Sequence, residues 1–124
     1  MRLILFIGLG GFIGTVSRFL LARAVQTSIL SSFPYGTLAV NILGSLIIGL
    51  IYGYSERDIL IDPELRLFLT VGICGGFTTF STFSAESFYL LRDGQYLWFL
   101  SYTLLSVTLC ILAVSLGFLI SKNI

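Results

Sequence analysis

Residues 71–84 read VGICGGFTTFSTFS, from Val71 to Ser84. They lie within an apolar stretch covering residues 65–91, at the point where a membrane helix reaches mid-depth. Two adjacent glycines, Gly75 and Gly76, and two adjacent threonines, Thr78 and Thr79, suit a continuous helix poorly. Glycine carries the largest backbone entropy cost, and β-branched threonine loses rotamer freedom against the preceding turn. The composition predicts an interruption of the helix here. Non-helical backbone at that depth survives only where protein or a wet cavity satisfies its polar groups. Such an interruption exposes carbonyls of the preceding half-helix, which can ligate a cation, and N–H groups of the following one, which favour anions.

The rest of the chain reads as membrane protein too. Of its 124 residues 56% are hydrophobic and only 10% charged, with a mean hydropathy of +1.02, whereas a soluble domain carries about a quarter charged residues. That excludes disorder, a polyanion-binding module and an ordinary cytosolic enzyme. Residues 3–25, 35–54, 65–91 and 96–121 each approach the ~20 apolar residues that cross a bilayer. The linkers are short: 26–34 is polar and ends at Pro34, 55–64 holds most of the acids, and 92–95 is a tight turn containing Gly94. Tyr52, Tyr54, Tyr96 and Trp98 sit near span ends, where amphipathic rings prefer the headgroup level. The expected fold is an all-α membrane protein, a single four-helix transmembrane domain over residues 1–124 with a broken third helix.

Several other functions fall away. The net charge of +1 signals no nucleic-acid partner, and the absence of His removes the commonest metal ligand and general base. Cys74 and Cys110 lie inside apolar stretches and read as small buried residues, not a disulfide framework. The apolar run after Arg2 is not read as a cleaved signal peptide, because Arg18 follows it without a small-residue cleavage pattern.

With four spans, both termini share a side with the second linker. That side receives Arg2, Arg57, Arg66 and Lys122, and the other receives Arg18, Arg23 and Arg92. Four against three is no usable positive-inside bias. Either a weak bias still fixes one orientation, or the protein inserts both ways and pairs head-to-tail, as the inverted repeats of transporters do within one chain. The second reading is the expectation here, because a lone four-helix unit has little interior for a lined pathway.

Polar and small residues recur where they are expensive. Gly10 and Gly14, four apart in GLGGFIG, allow close helix approach. Arg18 either snorkels to the interface or faces a wet cavity. In the second span Thr37, Asn41, Ser45, Gly49 and Gly53 recur every four residues. Asn41 either makes an interhelical hydrogen bond or turns a donor toward a pathway. In the third, Phe80 and Phe83 share a face, as do Ser81 and Ser84, while Thr79, Thr82 and Glu86 form another line. The phenylalanines are core residues, or they present positive ring edges to a small anion. Tyr102, Ser106 and Cys110 form a stripe on the fourth span, with Thr103 beside them. These stripes are mostly neutral donors, and Glu86 is the one carboxylate inside the spans. A coupled exporter wants an acid at mid-depth. Neutral donors with arginines near the mouths suit a small anion whose hydration shell must be replaced.

At GGFIGTVSR (residues 10–18), PYGTLAVNILGS (34–45) and GICGGFTTFSTFSAE (72–86) the chain resembles the CrcB/Fluc family of fluoride channels. The resemblance covers all four spans in order. It implies a dual-topology antiparallel homodimer in a bacterial-type cytoplasmic membrane, with two fluoride pathways along the subunit interface and passive fluoride export. It also implies a structural sodium ion on the two-fold axis, held by backbone carbonyls of Gly75 and Thr78. Position by position, Phe80 and Phe83 resemble the family's aromatic pair, and Asn41 its pore amide. Ser81 and Thr82 resemble the polar residues beside that pair. Tyr102 and Ser106 resemble members of the fourth-helix polar track, and Arg18 the basic residue after the first-helix glycines. Thr37 joins the expected pathway residues. Cys110 and Val114 depart from the pattern, since a thiol is a weaker donor than a hydroxyl and Val is apolar.

The expected function is a passive fluoride channel: no enzyme, no nucleotide, and fluoride, the lipid bilayer and a second copy of the chain as partners. Its rivals are a small dual-topology multidrug or guanidinium exporter, which needs a membrane carboxylate for exchange, and a non-transporting assembly subunit whose polar stripes only join helices.

Overall fold

The computed structural model describes residues 1–57 and 61–124. Residues 58–60, inside the acid-rich linker 55–64, lie outside the described residues. Four segments are long and apolar enough to cross a membrane: Arg2–Ser28, Tyr35–Ser55, Pro63–Arg92 and Tyr96–Asn123. The chain is an all-helical, multi-pass membrane protein.

Helix α1 (Arg2–Ser28) runs past residue 25, although the sequence there turns polar. Its last turn satisfies its own side chains: the Thr27 hydroxyl donates to the Arg23 carbonyl at 2.8 Å and the Ser28 hydroxyl to Ala24 at 2.6 Å. Such back-bonding lets a polar helix end persist where composition alone reads a linker. Most of α1 faces outward, with Phe12 69% and Leu20 60% exposed, a surface that belongs against lipid or a partner. Its buried residues are Gly10 and Gly14.

Helix α2 spans Tyr35–Ser55. The third span starts at α3 (Pro63–Leu67), two residues before the predicted 65, because Asp62 caps it: its carboxylate accepts from the Leu65 N–H at 3.2 Å, and Pro63 takes the first helical position. The helix then widens into a π-helical segment, Phe68–Cys74, and closes with α4 (Gly75–Phe77). Thr78 (φ −87°, ψ 159°) and Thr79 (φ −152°, ψ 121°) are extended. Helix α5 (Phe80–Arg92) follows. A turn with Gly94 at φ 73° leads into α6 (Tyr96–Asn123).

Close backbone approach explains the packing. A Cβ at Gly10 would stand 2.8 Å from the Phe68 carbonyl oxygen and 3.1 Å from Gly72 Cα, and one at Gly14 would collide with the Ile73 carbonyl. The α1 glycines therefore seat the π-helical segment directly against α1. Helix α2 packs most extensively on α6, where Gly49 meets the Val114 backbone and Gly117 meets that of Leu46. The small-residue stripe of the second span thus divides in two. Its glycines seat α6, while Thr37 and Asn41 face the interrupted third span. Phe33, Leu38, Leu90 and Tyr102 form the apolar core beside them, with Ile42, Phe83 and Phe99 against it.

Candidate functional site

The extended pair Thr78–Thr79 is held from α2. Asn41 Nδ2 donates to the Thr79 carbonyl at 3.1 Å, and the Thr79 N–H donates to Asn41 Oδ1 at 2.8 Å. The Thr79 hydroxyl also caps α5, accepting from the Thr82 N–H at 3.2 Å. These two bonds divert the donors that would close an unbroken helix onto the carbonyls four residues back, Gly75 for Thr79 and Thr78 for Thr82. Two carbonyls near each other in the chain thereby lose their helical partners. Thr78 itself turns inward, its N–H and hydroxyl both donating to the Cys74 carbonyl at 2.9 and 3.0 Å.

Two cavities flank this interruption. The first, of about 460 Å³, is a groove between α2, the third span and α6, lined by Asn41, Gly75, Thr78, Thr79, Phe80, Phe83, Ser106 and Cys110 among others. The second, of about 740 Å³, opens between α1 and the α2 and α5 starts, with Arg18, Arg23, Gln26, Thr37, Thr79, Thr82 and Glu86 in its wall. Thr79 belongs to both. The threonine that interrupts the span is the wall between the two cavities.

Glu86 is the carboxylate of the larger cavity. The Thr37 hydroxyl donates to its Oε1 at 2.6 Å and the Tyr102 hydroxyl to its Oε2 at 3.1 Å, so each carboxylate oxygen has a donor. Tyr102 is fully buried and lines neither cavity; its ring lies 5.1 Å from that of Phe83 and 5.6 Å from that of Phe33. Phe80, 5.5 Å from Phe83, is 79% exposed on the groove's open side. The Ser106 hydroxyl is buried and has no hydrogen-bond partner among the described residues.

Most of the residues singled out from sequence fall into two groups, with Tyr102 and Ser81 outside both. Asn41, Phe80, Phe83, Ser106, Gly75 and Thr78 line the groove, whereas Arg18, Thr37 and Thr82 line the larger cavity. Tyr102 reaches the latter only through Glu86. Ser81 is exposed and lines neither, its hydroxyl 3.3 Å from that of Thr79. Cys110 lines the groove, while the Val114 backbone lies against Gly49. Sequence reasoning missed Thr79 as the shared wall, the anchoring of Glu86, and Arg23 and Gln26. Arg23 was visible as a second cation one and a half turns after Arg18. Thr79 and Glu86 share a line with Thr82 on the third span, a spacing that marks a face but not what it meets, and nothing local marked Gln26.

Residues 5–118 match the family described as CrcB-like protein, Camphor Resistance (CrcB). A protein of Phocaeicola vulgatus named fluoride-specific ion channel FluC is 49% identical over 98% of this chain and all of its own length. One of the same name from Bacteroides fragilis is 51% identical over 94% of both chains. Another, from Flavobacterium psychrophilum, is 42% identical over the full length of both. With a match over nearly all of its length and relatives this similar from end to end, the chain belongs to the CrcB family.

Proposed function

We propose that the chain forms a fluoride channel that lets fluoride leave the cell passively. The observation that carries this reading is the identity of about half, end to end, with relatives named as fluoride-specific ion channels. The geometry supports a route. Arg18 and Arg23 in the larger cavity favour entry of an anion. Beyond Thr79, the groove offers Asn41, the unpartnered Ser106 hydroxyl and the rings of Phe80 and Phe83. An amide nitrogen has two N–H groups, and the contact with Thr79 occupies one of them. Neutral donors replace the water that a small anion sheds, and ring edges add a positive rim. Larger halides fit the bore and the hydrogen bonds less well.

The working unit in this proposal is an antiparallel, dual-topology homodimer in the cytoplasmic membrane, with the two grooves closed by the partner subunit. Support comes from the near-even split of basic residues between the two sides and from a groove whose open side carries an almost fully exposed phenylalanine. A sodium ion on the two-fold axis belongs to the same proposal. The residues fit such an ion, since the Gly75 and Thr78 carbonyls are deprived of their helical donors by Asn41 and Thr79, and hard carbonyl oxygens suit a hard cation. Bound there, sodium would neutralise oxygens that otherwise face each other.

Efflux from liposomes tests the function. Electrogenic fluoride release that ignores chloride and needs no pH gradient is the expected result. Release that demands a proton gradient would favour a coupled exporter using Glu86, and no release at all a purely structural subunit.

A further inference from the structure

Gln26 stands in the last turns of α1, on the wall of the larger cavity. Its Nε2 donates to the Ser31 carbonyl at 2.8 Å and to the Phe33 carbonyl at 3.1 Å, while its Oε1 accepts from the Gly36 N–H at 3.1 Å. Both amide N–H groups and the amide oxygen are thus committed to backbone. One side chain of α1 pins the loop 29–34 and the first turn of α2 together.

Two of the three pinned groups, Phe33 and Gly36, adjoin a donor to Glu86. Phe33 is buried, and its ring meets Tyr102 edge-on at 5.6 Å. Gly36 precedes Thr37 and lies so close to α1 that a Cβ there would collide with the Ala22 carbonyl. Tyr102 and Thr37 are the two hydroxyls that hold the Glu86 carboxylate. The amide has no N–H left for an anion, so any influence on fluoride conduction passes through these neighbours.

We infer that Gln26 is a positioning residue of the anion route: it sets where Thr37 and Tyr102 stand, and through them the Glu86 carboxylate, which shares the wall of the larger cavity with Thr79. This rests on the fluoride-channel reading above. Loss of the amide leaves three backbone groups near a wet mouth, where water can replace them, so the fold persists while the hydroxyls lose their register. A displacement of about 1 Å in a positioned group costs on the order of 100-fold in rate.

The test compares fluoride efflux from liposomes holding wild type, Gln26→Met, which keeps the length without polar atoms, and Gln26→Glu, which keeps an acceptor for Gly36 but no donors. Gln26→Met should slow efflux by roughly 10- to 100-fold per folded channel, with the thermal midpoint in detergent within about 4 °C of wild type. Gln26→Glu should also be slow. The Gln26→Met comparison is then repeated on a Tyr102→Phe background, or on Thr37→Val if that one carries no measurable flux. There the further slowing should shrink to less than about twofold, because coupled sites are not additive. With both backgrounds silent, the rates of the single variants decide. Wild-type rates in Gln26→Met, or the same fold-slowing in every background, would overturn the inference. So would failure of both Gln26 variants to fold, since the amide would then be a folding element. Wild-type vesicles that release no fluoride would instead bring down the channel reading itself.

Discussion

Asn41 and Thr79, 38 residues apart, exchange two hydrogen bonds: the amide nitrogen reaches the Thr79 carbonyl at 3.1 Å and the Thr79 N–H reaches the amide oxygen at 2.8 Å. A side-chain amide takes the place of a helical neighbour for one residue of extended backbone. Because no water is at hand in hydrocarbon to satisfy a peptide group, this clamp is what allows two threonines to leave the helix at mid-span, and Thr79 to part the two cavities.

Replacing Asn41 with Leu should therefore disturb both stability and flux. It leaves the Thr79 N–H and carbonyl without partners, at about 1–3 kcal/mol for each buried unsatisfied group. Asn41→Asp keeps the acceptor for the Thr79 N–H but sets a carboxylate oxygen against the Thr79 carbonyl and a charge in an anion's route. Thermal unfolding in detergent should show a clear loss for Asn41→Leu, and fluoride efflux should fail for both. A fully conducting Asn41→Asp would remove this residue from the pathway.

The two phenylalanines should separate by their burial. Phe80 is 79% exposed in the single chain, so Phe80→Ile should alter the chain's own stability by no more than about 0.5 kcal/mol. Phe83 packs on Tyr102, so Phe83→Ile should cost about 1–3 kcal/mol. Fluoride efflux should be abolished in both. Unchanged flux in both would reduce the aromatics to packing.

The glycines of α1 offer a contrast on one helix. An added methyl at Gly14 runs into the Ile73 carbonyl, while nothing lies within 4 Å of a Cβ at Gly8. Gly14→Ala should destabilise by about 1–3 kcal/mol through overpacking. Gly8→Ala should be neutral or gain up to about 1 kcal/mol from helix propensity. Paired thermal melts decide, and equal midpoints would contradict the close approach of α1 to the third span.

Sodium replacement checks the proposed ion. Purification with sodium exchanged for a large organic cation should shift the dimer toward monomer in size exclusion and lower its thermal midpoint, with recovery when sodium returns. Dimers indifferent to the exchange would argue against carbonyl ligation at Gly75 and Thr78.

Much of the architecture was legible in the chain itself. Four apolar stretches predicted four crossing segments, and their ends moved by only a few residues, where Asp62 caps α3 and where Thr27 and Ser28 bond back onto α1. The π-helical turns at Phe68–Cys74 were not foreseen. They lie against glycines of another helix, which no local pattern encodes. Of the residue types that stood out in the sequence, Asn41, the phenylalanines, Arg18, Thr37, Thr82 and Ser106 lie on the walls of the two cavities, whereas Ser81 and Tyr102 do not. The site was not legible as an arrangement, because four-residue spacing places side chains along a helix face but leaves open which neighbour that face meets.

From its own residues the chain dictated what is local: apolar runs long enough to cross a bilayer, glycines that admit close helix contact, and an adjacent β-branched pair that resists the helix. Only the folded molecule decided which polar groups meet. Thr37 finds Glu86 across 49 residues and Tyr102 finds it across 16, while Gln26 ties the loop to α2. Helix formation is settled within a turn or two of chain, whereas these bonds depend on how each helix is rotated and placed against the others, which the packing of whole faces decides.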